Sequence, residues 1–381
     1  MSGQGDEATL RFEAGLTQDP SDEGCLLGLM RLHALSHDLP SAVAFAQRLL
    51  QRSPQHPEAH SHQALHRFEE GEAGALEELA VLAAAPGAGV YERLNLARAL
   101  SHLGKVEAAE RAFQEAIAQE PANPVPSLEA ADAALDRGDA QAAVHHLTTA
   151  CRIAPGQARL WTGLAEAKEA AEDYPGALAA LDRASQLDPG DLPLLEYRYD
   201  VATRAEDWSA AVQTARQLVA KAPEELQYLF QLGEALTFAG ELDQAQKTLE
   251  KLALLDATAP EPMRALAEVF IAKGDRERAI SVLLRAVTLA PDEPGPTNDL
   301  ANLYFEEPGG MAQAVELLRP IYEAHPEDAV TAFNLALALA KDHPAEALGY
   351  AKQVTDSGHP DLAPEAARLM AALRKLIPSG T

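Results

Sequence analysis

Prolines recur along this 381-residue chain at an almost constant interval, and that interval constrains the fold more than any other feature. The spacing is 34 residues, give or take two, and the one longer gap of 68 residues equals two periods. The prolines concerned are Pro20, Pro54, Pro86, Pro121, Pro155, Pro189, Pro223, Pro291, Pro326 and Pro360. Proline lacks a backbone N–H and disfavours helix in the residue before it, so each one marks a helix end. Such a period indicates tandem copies of one unit that stack to bury a shared core.

Each period carries small residues at two fixed positions when its proline is numbered 32. Position 8 is alanine in most copies, and position 20 is alanine in nearly all of them. Position 7 is mostly leucine, and position 24 is usually bulky, as at Phe113, Leu147 and Leu249. Small residues let two antiparallel helices approach closely, while large ones fill the space between neighbouring pairs. Glycine or an acidic residue near position 15 predicts the turn between the two helices.

The composition agrees with a chain built from helices. Aromatic residues make up only 5% of it, good helix formers dominate, and runs with strand-like alternation are missing, so an all-α fold is predicted. The formal net charge is −27. Nucleic acid is not an expected partner, because phosphate binding needs clustered Lys and Arg. Direct insertion into a membrane is not expected either, because no apolar run is long enough.

The pattern resembles the tetratricopeptide repeat, which has the same 34-residue period. The resemblance implies an α-solenoid, a right-handed superhelix of helical hairpins whose first helices line a concave groove. About ten copies cover residues 23–360. Residues 1–22 match only a second helix and are interpreted as an N-terminal half-repeat. Residues 361–381 are predicted to form a capping helix and a short tail, as the end of a solenoid requires.

The sequence contains no motif that predicts catalysis. Nucleophile-elbow, phosphate-loop, dinucleotide-binding and zinc-protease patterns are all missing, so neither an enzyme nor a cofactor is predicted. Half of the twelve histidines fall early in the chain: His33, His37, His56, His60, His62 and His66. His62 and His66 have the spacing of a metal-binding pair, but no third ligand is fixed. Surface or packing roles are therefore preferred to a metal site.

The strongest candidate for a binding surface is a row of acidic residues at position 9 of the first helix. Five consecutive repeats carry one, always 34 residues apart: Asp132, Glu166, Asp200, Glu234 and Glu268. Glu129 and Glu196 lie beside this row. The resemblance places position 9 on the groove, where repeated carboxylates favour a partner that presents Lys or Arg. The alternative is a solvated acidic face, because an acidic chain has such faces throughout.

The sixth repeat departs from the pattern at both close-packing positions. Arg198 replaces the usual leucine at position 7, and Tyr199 replaces the usual alanine at position 8. One interpretation is local repacking, with the Arg198 side chain reaching out to solvent. The other is a hot spot for a partner, because aromatic residues and Arg dominate binding energy at interfaces. The candidate hot spot comprises Tyr197, Arg198, Trp208 and Phe230.

The C-terminal repeats match part of a device known in the resembled family. Some co-chaperones of that family grip C-terminal carboxylates with two Lys, two Asn and one Arg. Asn302, Asn334 and Arg368 occupy the Asn and Arg positions of this clamp. Asn298 and Pro364 occupy the two Lys positions, so both point charges are missing and the anion site is predicted to be weak.

These features predict a cytoplasmic, non-enzymatic adaptor that binds a protein or peptide with basic residues in its groove. The cytoplasmic location is expected because the first residues do not resemble a secretory signal. Two alternatives remain: a co-chaperone that uses the partial clamp, or a subunit of a bacterial secretion, polysaccharide-export or motility assembly. The apolar edge of the half-repeat, formed by Leu10, Phe12 and Leu16, also predicts self-association or partner docking at that end.

Overall fold

The computed structural model describes residues 3–36 and 38–377, and within them the chain forms 22 α-helices and no strand. The all-α prediction is therefore confirmed. The helices are α1 Gly3–Gln18, α2 Glu23–Leu35, α3 Leu39–Arg52, α4 Pro57–Glu69, α5 Ala75–Ala84, α6 Val90–His102, α7 Val106–Gln119, α8 Val125–Asp136, α9 Ala140–Ile153, α10 Ala158–Ala170, α11 Tyr174–Leu187, α12 Leu192–Arg204, α13 Trp208–Lys221, α14 Leu226–Phe238, α15 Leu242–Leu255, α16 Glu261–Ala272, α17 Arg276–Leu289, α18 Pro294–Tyr304, α19 Gly310–Ala324, α20 Ala329–Leu339, α21 Pro344–Ser357 and α22 Leu362–Leu376.

The chain divides into two compact units, Met1–Leu194 and Leu195–Thr381. In the first unit, consecutive helices pair as hairpins: α2 with α3, α4 with α5, α6 with α7, α8 with α9 and α10 with α11. In the second unit, α14 pairs with α15, α16 with α17, α18 with α19 and α20 with α21. Within each unit, successive hairpins also pack against one another, as α9 does against α10 and α15 against α16. Each unit is thus a solenoid whose hairpins are stabilised by their neighbours in sequence.

Six of the hairpin turns have a left-handed residue at position 15, where the sequence predicts a turn. The φ angle there is positive at four glycines, Gly104, Gly138, Gly240 and Gly274, and at two glutamates, Glu172 and Glu206. The next residue is often an aspartate whose side chain accepts a hydrogen bond from the first turn of the second helix. Asp139, Asp173, Asp207 and Asp275 all cap their helices in this way. The cap satisfies a backbone N–H that has no partner within the helix, which fixes where the second helix begins.

The small positions of the repeat lie where helices are closest. The alanines at positions 8 and 20 are buried in both units, as Ala97, Ala109 and Ala165 illustrate. In the seventh repeat the small residue is Gly233, and a Cβ added there would lie 2.4 Å from Leu249 Cδ2. Leu249 has no exposed surface, so it fills the space that alanine occupies in other repeats. The distance between helices therefore depends on the combined volume of the two facing side chains, not on one position alone.

The two ends of the described chain are closed by single helices. At one end α1 packs against α2, with the Phe12 ring over Gly28, where an added Cβ would lie 2.5 Å from the ring. Leu16 joins the core formed around α2, whereas Leu10 is 65% exposed. At the other end α22 packs on α21 and α20 through the buried Leu373. Most of the apolar edge of α1 is thus already covered by α2.

Candidate functional site

The second unit carries three members of the predicted acidic row on successive first helices. Asp200 lies on α12, Glu234 on α14 and Glu268 on α16. Asp200 and Glu268 are exposed to solvent, and Glu234 is partly exposed. Within the described residues, no basic side chain lies at salt-bridge distance from the carboxylate of Glu234 or of Glu268. These two glutamates therefore present negative charge that the protein itself does not neutralise.

The surroundings of these glutamates make their negative charge unfavourable. Burial by neighbouring protein atoms raises the pKa of Glu234, and the charge of Glu268 raises it further. Burial likewise raises the pKa of Glu268, as does the charge of Asp299, while Arg264 acts in the opposite direction. A carboxylate can touch water on one side and still lose part of its hydration to the helices beside it. A bound cation would relieve this cost, so the pair is suited to a basic ligand.

Other charges near the row already have partners. Arg264 donates to Asp299 at 2.5 Å, so its guanidinium is already paired with another carboxylate. Glu196, predicted to lie beside the row, accepts a hydrogen bond from the Tyr228 hydroxyl at 2.5 Å. That bond raises the pKa of Tyr228 to about 12, so the phenol stays protonated. Glu196 remains exposed, but one of its oxygens is engaged within the protein.

The first unit carries the other two members of the row, Asp132 on α8 and Glu166 on α10. Glu166 is exposed, and its pKa is raised by burial and then by the charge of Glu169. Glu129, which the sequence places beside the row, is only 7% exposed and accepts two hydrogen bonds from Arg98. Glu129 therefore adds no open charge, because an arginine from the preceding first helix neutralises it.

Ion pairs between successive first helices define this part of the first unit, and sequence reasoning missed them. Arg31 donates to both oxygens of Glu58, at 2.7 and 2.6 Å. Arg98 donates to Glu129, with Nε 2.7 Å from Oε2, and also to the Asn95 side chain at 3.1 Å. Both arginines occupy position 9, and each acid comes from the next first helix. The sequence signal for these ion pairs was an arginine at position 9 followed by a glutamate 27 or 31 residues later.

Two cavities open beside these ion pairs in the first unit. One of about 440 Å³ has apolar walls from Leu65, Phe68 and Phe113 and is also lined by Arg98 and Glu129. Another of about 660 Å³ is lined by residues of α1 and α2 on one side and of α8 and α10 on the other. Both volumes fall in the range of ligand-binding clefts. The first unit thus offers mixed apolar and paired-charge surfaces in place of a continuous acidic row.

The early histidines do not form a metal centre in the described part of the chain, where no group of three or more His, Cys, Asp or Glu is arranged to hold an ion. His62 has no exposed surface, and neither of its ring nitrogens has a hydrogen-bond partner among the described residues. Burial, with the charges of Arg98 and Arg31, lowers the pKa of His62 to about 3, so the ring is neutral. His66 approaches Glu70 at 3.6 Å. His37 lies outside the described residues.

The structure separates the four residues of the predicted hot spot. Arg198 is only 8% exposed and donates to the Ala210 carbonyl at 3.3 Å and to the Thr214 hydroxyl. The prediction that Arg198 reaches solvent is therefore wrong, because acceptors on α13 replace water around the guanidinium. Tyr199 is also buried, and its hydroxyl donates to the Gln231 carbonyl at 3.0 Å. This repacking accommodates a tyrosine where other repeats have alanine.

The aromatic members of the hot spot remain closer to the surface. Tyr197, Trp208 and Phe230 are partly exposed. Trp208 stacks on Phe238, with ring centroids 4.4 Å apart and an interplanar angle of 18°. Phe238 is 58% exposed. The sequence thus indicated the right region, but the exposed aromatic surface is centred on Trp208 and Phe238, without Arg198.

The three residues of the partial clamp differ in their accessibility. Asn302 and Arg368 are exposed, whereas Asn334 is 5% exposed. The Asn334 amide donates to Asn298 Oδ1 at 3.0 Å, and Asn298 in turn donates to Thr331 at 2.9 Å. Asn334 is thus engaged in a buried hydrogen-bonded ladder between α18 and α20, which gives it a structural role.

Sequence models of one family match four stretches of the chain. Models described as tetratricopeptide repeat match residues 134–196, residues 263–297, and residues 93–123 and 226–258. The helical hairpins and the proline period continue between and beyond these stretches. The matched stretches are tetratricopeptide repeats, and the all-α fold of the described residues is a solenoid of helical hairpins of this kind. No curated protein matches the chain.

Solved structures of other proteins are similar to this chain at low sequence identity. Yeast Tom70 is 15% identical, with a TM-score of 0.47, and the match covers 98% of this chain and 93% of that one. A tetratricopeptide repeat protein from Parabacteroides merdae is 17% identical, with a TM-score of 0.44, covering 66% of this chain and 98% of that one. YrrB, described as a protein with an unusual peptide-binding site, is 19% identical, with a TM-score of 0.37 and coverages of 48% and 93%.

A membrane-spanning helix is not found in residues 3–36 and 38–377, where no helix combines the length and the apolar character that a span requires.

Proposed function

We propose that this repeat protein is a non-enzymatic scaffold that binds partner proteins or peptides, and that its second unit takes a basic segment. The observation that carries the proposal is the pair Glu234 and Glu268. Both lie on successive first helices, both lack a basic partner among the described residues, and both have raised pKa values. Like charges held in partly desolvated positions destabilise a fold, which indicates a role in binding and not in stability.

The partner's chemistry follows from this charge distribution. Lys or Arg side chains spaced along a peptide can each approach one carboxylate, while the acidic surroundings repel an acidic segment. A single exposed pair contributes only about 0.2–1 kcal/mol, so recognition needs several contacts together. The chain as a whole carries a net charge of −27, which raises the association rate of any basic partner. Salt dependence alone therefore does not identify the site, and a position-specific test is needed.

We expect the double variant Glu234→Lys with Glu268→Lys to bind a basic peptide about tenfold more weakly, because two attractions become repulsions. The probe is a labelled peptide of about ten residues in which arginine and serine alternate, measured by fluorescence anisotropy at two ionic strengths. The matched control reverses two exposed glutamates on the second helix α19, Glu316→Lys with Glu323→Lys, which changes the net charge equally. Equal weakening by both double variants would show that net charge acts and that Glu234 and Glu268 form no site.

A further inference from the structure

An aromatic pair forms an open platform on the surface of the second unit. Trp208 begins α13, Phe238 ends α14, and their rings stack nearly parallel with centroids 4.4 Å apart. Stacking covers one face of each ring, yet Phe238 remains 58% exposed. An exposed phenylalanine at the edge of a stack gains little from packing within its own fold. Its open ring face is therefore available to another molecule.

The cavity beside this platform has a volume of about 550 Å³ and is lined mainly by acidic and polar side chains. Glu206, Asp207 and Glu241 line it, and Arg216 is the one basic residue among its lining side chains. Arg216 points towards α15, where it donates to Gln244 at 2.9 Å and lies 3.3 Å from Glu241. The lining is thus net negative, and its own cation is already engaged. A ring face is itself the negative side of the aromatic quadrupole, so both features favour a cation.

Arginine side chains lie over aromatic rings elsewhere in this chain. Four such contacts are Arg31 over Tyr91, Arg48 over Phe45, Arg183 over Trp161 and Arg278 over Phe270, at 4.3–5.7 Å from the ring centroids. Among the described residues, no arginine or lysine lies over Trp208 or Phe238. The platform is therefore an aromatic surface with acidic neighbours, and no cation from the described residues covers it.

We infer that the Trp208–Phe238 platform is the anchor at which the partner places an arginine side chain. The guanidinium lies flat on the open face of Phe238, and its N–H groups reach the carboxylate of Glu206 at the edge of the cavity. A planar guanidinium can stack and donate hydrogen bonds at the same time. A lysine ammonium is a compact, strongly hydrated charge that can donate hydrogen bonds but has no planar group to stack on the ring. A leucine side chain leaves the carboxylates unpaired.

The platform is continuous with the acidic pair of the proposed function, on which this inference rests. Phe238 follows Glu234 by four residues on α14, so both side chains project from the same face of that helix. Ile271, which is 48% exposed, follows Glu268 by three residues on α16 in the same way. A bound segment can therefore place basic side chains on the glutamates and an arginine on the platform about one helical turn away.

The test compares three peptides that differ at one kind of residue. The first alternates arginine and serine over about ten residues, and in its twins lysine or leucine replaces every arginine. Trp161→Phe leaves Trp208 as the only tryptophan of the chain, so its emission reports contact at the platform. Binding is measured by anisotropy for this protein and for the variants Phe238→Ala and Phe238→Leu. The control Leu254→Ala removes a side chain of the same unit that is 83% exposed and lies on α15.

We expect the arginine peptide to bind about fivefold more tightly than the lysine peptide and to change Trp208 emission. The leucine peptide should bind most weakly. Phe238→Ala and Phe238→Leu should each abolish the preference for arginine, whereas Leu254→Ala should keep it. Equal binding of arginine and lysine peptides, or an unchanged preference in Phe238→Ala, would overturn the anchor while leaving the acidic groove intact. Equal weakening of basic-peptide binding by Glu234→Lys with Glu268→Lys and by its control double variant would instead overturn the proposed function. Tighter binding of the leucine peptide would show an apolar pocket and overturn the arginine anchor.

Discussion

Replacing Glu129 by glutamine is expected to destabilise the first unit by about 2–4 kcal/mol, because it leaves the Arg98 guanidinium without its counter-charge. The side chain of Arg98 is 18% exposed and that of Glu129 is 7% exposed, so water cannot fully replace the lost carboxylate. Breaking a fully buried pair costs about 3–5 kcal/mol, and the residual exposure of Arg98 reduces this. Glutamine has nearly the same shape, so the effect reports charge and not a cavity.

The matched control for this prediction is the similar pair two hairpins earlier, Arg31 and Glu58. Glu58 is also buried, but its partner Arg31 is 37% exposed and can turn towards water. Glu58→Gln should therefore cost only about 1–2 kcal/mol. The measurement is denaturant unfolding of the intact chain followed by circular dichroism, with hydrogen exchange to assign the loss to the first unit. If Glu129→Gln costs no more than Glu58→Gln, the burial of the Arg98–Glu129 pair is not what stabilises this region.

The second large effect concerns Gly233, where the commonest residue of the repeat should be harmful. Alanine has a higher helix propensity than glycine by about 0.8–1 kcal/mol and occupies this position in most repeats. At Gly233, however, the added methyl would lie 2.4 Å from Leu249 Cδ2 and 2.6 Å from Cγ, in a site without free space. Overpacking of this kind costs about 1–3 kcal/mol. We expect Gly233→Ala to be destabilising overall, by about 1 kcal/mol.

The sign of this effect should reverse once the facing side chain is shortened. Leu249→Ala alone should cost about 2–5 kcal/mol, because Leu249 is fully buried and its removal leaves a cavity. Adding Gly233→Ala to that variant partly refills the cavity and restores helix propensity, so it should recover about 1 kcal/mol. A double-mutant cycle measured by denaturant unfolding gives the coupling directly. Independent, additive effects would contradict the volume balance between the two positions.

The fold could be predicted from the sequence because every level of the pattern agreed. The proline period, the small residues at two positions and the turn residues at position 15 all specified the same hairpin. The left-handed backbone of Glu172 and Glu206 in two of these turns is a finding of the structure. A fold can be predicted from its sequence when the local signals agree with the global architecture, as they do in this chain. The compensating pair Gly233 and Leu249 could not be predicted, since it depends on the packing of particular side chains.

The candidate site was harder to predict because charge on a helix face does not reveal its pairing. The sequence placed Glu129 and Glu234 in one class, yet Arg98 neutralises Glu129, while Glu234 has no basic partner among the described residues. It also grouped Arg198 with Trp208, although Arg198 is buried on acceptors of α13. The two errors have different causes. The Arg98–Glu129 contact joins successive hairpins, whereas Arg198 contacts the second helix of its own hairpin, and the position of a residue within the repeat specifies neither contact.

The proton exchange that accompanies peptide binding tests most directly whether Glu234 and Glu268 bind a basic partner. Their raised pKa values mean that, near pH 5.5, these two carboxylates hold a larger share of bound protons than ordinary glutamates, whose pKa is about 4.3. A bound cation favours the charged form and lowers both pKa values, so binding should release protons at this pH and weaken as the pH falls further. Calorimetric titration of the arginine peptide in two buffers of different protonation enthalpy measures that release. We predict proton release by the native chain and its loss in the variant Glu234→Gln with Glu268→Gln. Binding without proton release, or with the same release in that variant, would show that Glu234 and Glu268 do not bind the peptide.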